Sequence, residues 1–233
     1  MSLHYTLDRA QEIADKLADV RARMDEVARL VAVSKYKPSS DVMAAYEKAG
    51  QLHFGENYVR VQGLEEKSKE LPKEIQWHFI GSLQSNKCKI LAAIPNLFVV
   101  ETIDSAKKAS TLDKACAAVA RIQPLNIFLQ VNTSGEESKS GMLPSEVLQV
   151  AQHVVAKCPH LKLAGLMTIG SPNPDLENGE NPDFKARSKD DNTDEWNHGM
   201  SDDFERALQQ GSTNIRVGST IFGSRPPPTK STA

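Results

Sequence analysis

Apolar side chains at Leu7, Ala10, Ile13, Ala14, Leu17, Val20, Met24 and Val27 recur at the spacing of one helical face, which predicts a long amphipathic helix at the start of the chain. The period then changes. Leu30-Val31-Ala32-Val33 is a short apolar run that leads into Ser34-Lys35-Tyr36-Lys37 and meets Pro38, a residue that cannot continue a central strand. A helix capped by Ser40 or Asp41 follows and stops at Gly50. From there strands are predicted over 52–54, 75–80, 97–100, 125–131, 161–167 and 214–217, and helices over 58–71, 84–93, 104–120 and from about 144. Such alternation predicts a parallel sheet covered by helices. One further strand, the seventh in order, has only Glu195-Trp196-Asn197-His198 to form from. Eight strands in a chain of 233 residues fit an α/β TIM-type (β/α)8 barrel with an extra N-terminal helix. An open doubly wound sheet is the alternative, although no GxGxxG follows the first strand.

Residues 171–198 break the pattern with eight acidic residues, three basic ones, three prolines and few apolar side chains. Such a composition cannot offset the entropy lost on ordering, so the expectation is a mobile acidic segment and a degenerate sixth helix and seventh strand. The expected organisation is a single barrel domain over 1–225 and a disordered tail over 226–233, opened by three prolines.

The strands end in small polar residues: Ser34-Lys35, Gly55-Glu56-Asn57, Gly81-Ser82, Thr168-Ile169-Gly170, Gly218-Ser219-Thr220, with Gly199-Met200-Ser201 after the seventh. On a barrel these share one rim, the rim where such folds keep their chemistry. Lys35 would bring an amine to it; an amine in a partly apolar pocket loses its proton more readily and can form an imine with a carbonyl. The plainer alternative is a surface lysine closing a strand. Ser201 reads as the N-cap of a helix over 202–210, and Gly218-Ser219 opens another turn, so both can offer backbone N–H groups and hydroxyls to a phosphate, against which Asp202 and Asp203 would have to point outward. Arg216 on the last strand can face the pocket or an outer carboxylate; spacing leaves both open. His78, beside Trp77, reads more simply as a hydrogen-bonded core residue. The six histidines show no metal-ligand spacing, so no metal is expected.

Net charge of −2 gives no electrostatic reason to expect nucleic acid or an anionic membrane as partner. Three scattered cysteines, none in CxxC, and an N-terminus without an apolar core point to a reducing, cytoplasmic setting, with which a mitochondrial fraction is also compatible. A lysine amine and a phosphate cradle on one rim are what pyridoxal 5′-phosphate requires.

The stretches LVAVSKYKP, HFGENYVR, WHFIGSLQSNK, GLMTIG and GMSDDFERALQQGSTNIRVGSTIFGSR resemble, in order and over about residues 7–225, the pyridoxal phosphate homeostasis protein family, related to the barrel domain of alanine racemase. The resemblance implies that Lys35, not Lys37, carries the cofactor as a Schiff base. It implies that Asn57 and His78 line the pocket, Met200 packs the ring, and Ser201, Gly218 and Ser219 hold the phosphate, with serine where the family usually has threonine at the last. Arg216 matches the arginine near the pyridine nitrogen. Residues 171–198 depart from the family, whose members carry an apolar helix and an LSMGMS-like strand there. The implied function is to hold and hand on pyridoxal phosphate within vitamin B6 homeostasis, as a monomer serving apo-enzymes, with no turnover of its own. Two alternatives are an amino-acid racemase, which needs a second base, a tyrosine in alanine racemase for which Tyr36 and Tyr58 are the tyrosines near the rim, and an aldolase-like barrel using Lys35 on a sugar phosphate.

Overall fold

The computed structural model describes residues 3–24, 28–57, 63–136, 139–169 and 204–224, and the backbone of 195–197. Helix α1 (Leu7–Ala22) opens on Thr6, whose side chain accepts from the Arg9 N–H, and precedes β1 (Arg29–Val33). The chain then runs α2 (Ser39–Ala49), β2 (His53–Glu56), α3 (Leu64–Glu70), β3 (Gln76–Phe79), α4 (Cys88–Ala92), β4 (Leu97–Ile103), α5 (Ala106–Ala118), β5 (Leu125–Gln130), α6 (Val147–Lys157), β6 (Leu161–Met167), β7 (Glu195–Asn197), α7 (Phe204–Gln209), β8 (Asn214–Val217) and α8 (Ser219–Phe222). All neighbouring strands pair in parallel and β8 returns to β1, with Val31 opposite Arg216, so the sheet closes as an eight-stranded barrel. The short seventh strand suffices: Glu195, Trp196 and Asn197 pair with Gly165, Leu166 and Met167, and Asn197 with Asn214. It forms within the stretch expected to be mobile. The rest of that stretch, the sixth helix after β6, Met200, Ser201 and the tail from 225 lie outside the described residues.

Several boundaries differ from those predicted. Pro38, not Ser40 or Asp41, is the N-cap of α2, and Asp41 bonds Arg9 of α1 instead, at 2.7 Å. Arg9 also donates to the Phe222 carbonyl at 2.9 Å, so one guanidinium ties the first helix to α2 and to the last. The strand predicted to stop at residue 100 continues to Ile103, with Glu101 and Thr102 wholly buried in it. Both are paired: Thr102 donates to the Gly81 carbonyl at 2.6 Å, and Glu101 meets two cationic or donor side chains inside the barrel. Polar groups satisfied in this way can be buried without breaking a strand.

The main apolar core lies between the strands and the helices, where Phe54, Trp77, Phe79, Leu91, Ile103, Leu112 and Phe222 meet. Ile13, Leu17 and Val20 extend it under α1, each contributing about 1.5–3 kcal/mol by leaving water. Inside the barrel there is a much smaller apolar plug of Val99, Phe128 and Met167, with Phe98, Ala164 and Ile169 against it. Polar side chains, among them His78, Glu101 and Arg216, share the lumen with it.

Candidate functional site

Parallel strands deliver their carboxyl ends to one rim, and β1 delivers Ser34 and then Lys35. Lys35 lies in a turn closed by the Lys37 N–H donating to the Ser34 carbonyl at 3.0 Å, and it is half-buried. Tyr36 in this turn has φ +64, a left-handed conformation that costs a non-glycine residue about 1–3 kcal/mol. The surroundings hold the turn in place. Ser34 is fully buried and donates to Glu56 at 2.8 Å; Lys67 of α3 bonds the same carboxylate oxygen at 2.5 Å and the Ser34 carbonyl at 3.0 Å. Lys37 is committed elsewhere, donating to the Ser224 carbonyl at 2.9 Å, and burial lowers its pKa from the ordinary value. Of the two lysines, Lys35 is the one placed on the rim.

Asn57 follows β2, and its Oδ1 is buried without a hydrogen-bond partner among the described residues. A buried amide oxygen left unpaired costs free energy, so an orphan beside Lys35 is a place for a ligand donor. Close backbone approaches shape the same rim. A Cβ on Gly81 would sit 2.3 Å from the Asn57 carbonyl oxygen, and one on Gly218 would press on Val33 at 3.2 Å. Ser219 begins α8 directly after Gly218, so the first N–H groups of that turn have no partner within the helix.

Below the rim, four side chains from four strands form one chain across the lumen. His53 Nδ1 lies 2.9 Å from His78 Nε2, His78 Nδ1 2.6 Å from Glu101 Oε1, and Arg216 donates to Glu101 Oε2 at 3.2 Å. Arg216 also donates to the Thr168 carbonyl at 3.1 Å. His78 and Glu101 are completely buried and Arg216 is 6% exposed. Desolvation first, then the neighbouring His78 ring and the Arg29 charge, press the His53 pKa down to about 3. Arg216 therefore faces inward onto a carboxylate, a combination of the two orientations left open by spacing. His78 is the buried, hydrogen-bonded residue that its place beside Trp77 suggested, and it is the middle of this chain. Among the described residues no group of three His, Cys, Asp or Glu is placed to hold a metal ion.

Sequence reasoning missed Glu56, Lys67, Glu101 and His53 as site residues. For Glu101 a signal existed: LFVVETI keeps its β-branched character past the acid, which argues for a continuing strand with a buried, paired carboxylate. Lys67 carried none, because its partner is reached only through folding.

Residues 9–226 match the family described as alanine racemase, N-terminal domain. A human relative named pyridoxal phosphate homeostasis protein is 47% identical over 214 residues, covering 84% of this chain and 76% of its own. This chain belongs to that family. Among solved structures, an unknown protein from Bifidobacterium adolescentis superposes with a TM-score of 0.80 at 30% identity, covering 94% of this chain and 98% of its own. PipY of Synechococcus elongatus, solved with PLP bound, gives 0.70 at 27% identity, with 91% of this chain and all of that one covered. The rim fits such a group: a lysine amine, an orphan amide oxygen and a glycine-lined turn stand together, as an aldehyde, ring substituents and a phosphate would need.

Proposed function

We propose that this chain holds pyridoxal 5′-phosphate at the carboxyl rim of its barrel and serves the cellular balance of that cofactor, without turning over a substrate of its own. The observation that carries the reading is the position of Lys35, on a braced and strained turn beside the unpaired Asn57 oxygen. When bound, the cofactor supplies an aldehyde that condenses with an amine, releasing water, and a pyridine ring that can take up negative charge. Lys35 supplies the amine for the Schiff base. Asn57 accepts from the ring substituents. Gly218 and Ser219, with the first N–H groups of α8, take the phosphate, joined by the Ser201 hydroxyl, while Met200 packs the ring. Arg216 presents a permanent cation to the ring nitrogen, which keeps that nitrogen unprotonated and the ring a poor electron sink. A poor sink suits holding more than turnover.

The relatives support the reading, one by its name and one by the cofactor in its structure. A racemase would need a second base opposite Lys35. Tyr36 is 52% exposed on the turn, and Tyr58 lies outside the described residues. Apo-enzymes that need the cofactor are the partners this function implies, and a monomer is the form in which the rim stays open to them. Among the described residues no helix is long and apolar enough to cross a membrane.

Titration of the purified protein with pyridoxal phosphate tests the reading. A near-ultraviolet to visible imine band should grow to one equivalent and be absent in Lys35→Ala, which should still bind the cofactor weakly through phosphate contacts worth roughly 1.5–3 kcal/mol each. An unchanged band in Lys35→Ala would refute it.

A further inference from the structure

Of the chain His53–His78–Glu101–Arg216 only Arg216 is given a role at the cofactor, yet the whole chain runs from one mouth of the barrel to that arginine beneath the other. At its outer end His53 is half-buried and lines a cavity of about 400 Å³ with Arg21, Arg29, Leu30 and Gln51, where β1 and β2 begin. At its inner end Arg216 donates to the Glu101 carboxylate and the Thr168 carbonyl. We propose that Glu101 and His78 are positioning residues for Arg216, and that the carboxylate fixes, donor by donor, the state of every member of the chain.

The argument follows from which atoms can donate. A guanidinium only donates, so Glu101 Oε2 accepts from Arg216. The second oxygen, Oε1, then faces His78 Nδ1 at 2.6 Å, a short contact of the charge-assisted kind, and that nitrogen must carry a proton. In a neutral imidazole the other nitrogen is then an acceptor, so His78 Nε2 accepts from His53 Nδ1–H at 2.9 Å. His53 Nε2 is left as the bare nitrogen of its ring. The depressed pKa of His53 agrees with a neutral ring there. Each link depends on the carboxylate: with an amide at 101, an N–H would face either Arg216 or His78, and one of the two contacts would be lost. Arg216 would keep the Thr168 carbonyl and lose the partner that aims it. His53, Arg29, His78, Glu101 and Arg216 are the charged or titratable side chains that meet along this path among the described residues.

The inference rests on the proposal that Arg216 serves the cofactor ring, and its test separates the two. In the loaded protein Glu101→Gln should move the pH midpoint of the imine band by about one unit, a tenfold change in proton affinity, while cofactor affinity falls less than about threefold. Arg216→Gln should also move the midpoint, and the double variant should add nothing to Arg216→Gln alone, because Glu101 acts through Arg216. An unchanged midpoint in Glu101→Gln, or shifts that simply add in the double variant, would overturn the proposal. A second arm needs no cofactor and no variant. Nitrogen-15 spectra of the cofactor-free protein should show protonated Nδ1 and bare Nε2 on both His78 and His53; a His78 protonated at Nε2 alone would also overturn it. Should the wild type give no imine band, the cofactor reading fails, and the nitrogen spectra still decide the chain.

Discussion

Two buried carboxylates, Glu56 and Glu101, sit at nearly the same height on β2 and β4 but on opposite sides of the barrel wall. Glu56 lies behind the wall, and one of its oxygens takes both the Ser34 hydroxyl and the Lys67 ammonium. Its network closes on itself within the layer between strands and helices. Glu101 lies in the lumen, uses both oxygens, and its partners lead outward to both mouths. The difference separates bracing from tuning. A carboxylate whose partners are all local fixes a piece of backbone, here the turn that raises Lys35. A carboxylate whose partners continue to the rim fixes the orientation of a functional cation.

The comparison breaks most visibly at Glu56. Glu56→Gln leaves Lys67 buried without a counter-charge, and side chains this enclosed, 4% and 2% exposed, should lose about 3–5 kcal/mol of stability in urea denaturation. Replacing both partners with Leu at 56 and Met at 67 should recover most of that loss, since a buried pair is often no better than apolar residues of like volume. A milder cost, about 1–3 kcal/mol, is expected for Glu101→Gln, because Arg216 keeps one acceptor, the Thr168 carbonyl. If the two variants cost the same and only Glu56→Gln altered the imine band, the division drawn between them would be wrong.

Asn57 sharpens the contrast between a satisfied and an unsatisfied polar group. Its Oδ1 has no partner among the described residues, so Asn57→Leu should leave the cofactor-free protein as stable or up to about 1 kcal/mol more stable, while weakening cofactor binding. Equal losses in both forms would mean that Asn57 is structural. The last effect is confined to acid pH and belongs to His53. Its folded pKa is about 3 against 6.5 ordinarily, so as pH falls the unfolded chain takes up that proton first. Its contribution to stability is complete above 6.5 and is lost as pH falls from there toward about 3. His53→Phe should flatten the stability profile in that window; a profile parallel to wild type would assign the slope to other groups.

Much of this architecture was legible in the sequence because strands and helices are written locally. The runs before Lys35, around His78 and before Arg216 announce strands by composition, and their polar ends mark the rim. Short-range competition was harder to read. Ser40 and Asp41 are good helix caps, yet Arg9, 32 residues away, claims the Asp41 carboxylate. Long-range pairing was not legible at all. Glu101 and Arg216 are 115 residues apart, and nothing in the neighbourhood of either names the other. A lone acid at the end of an apolar run reads as a strand end until a cation from the last strand is placed against it. The strand ends pointed to Lys35, and the family resemblance added Asn57 and a role for Arg216, but neither supplied the carboxylates that hold two of them in place.

The central claim is that Lys35 is the amine that carries the cofactor. Borohydride reduction of the loaded protein followed by peptide mass spectrometry tests it most directly, since reduction converts an imine into a stable secondary amine. The pyridoxyl adduct is expected on the peptide containing Ser34 and Lys35, at one equivalent, with Lys37 and Lys67 unmodified. An adduct on Lys37, on Lys67 or on any lysine away from the end of β1 would contradict the account.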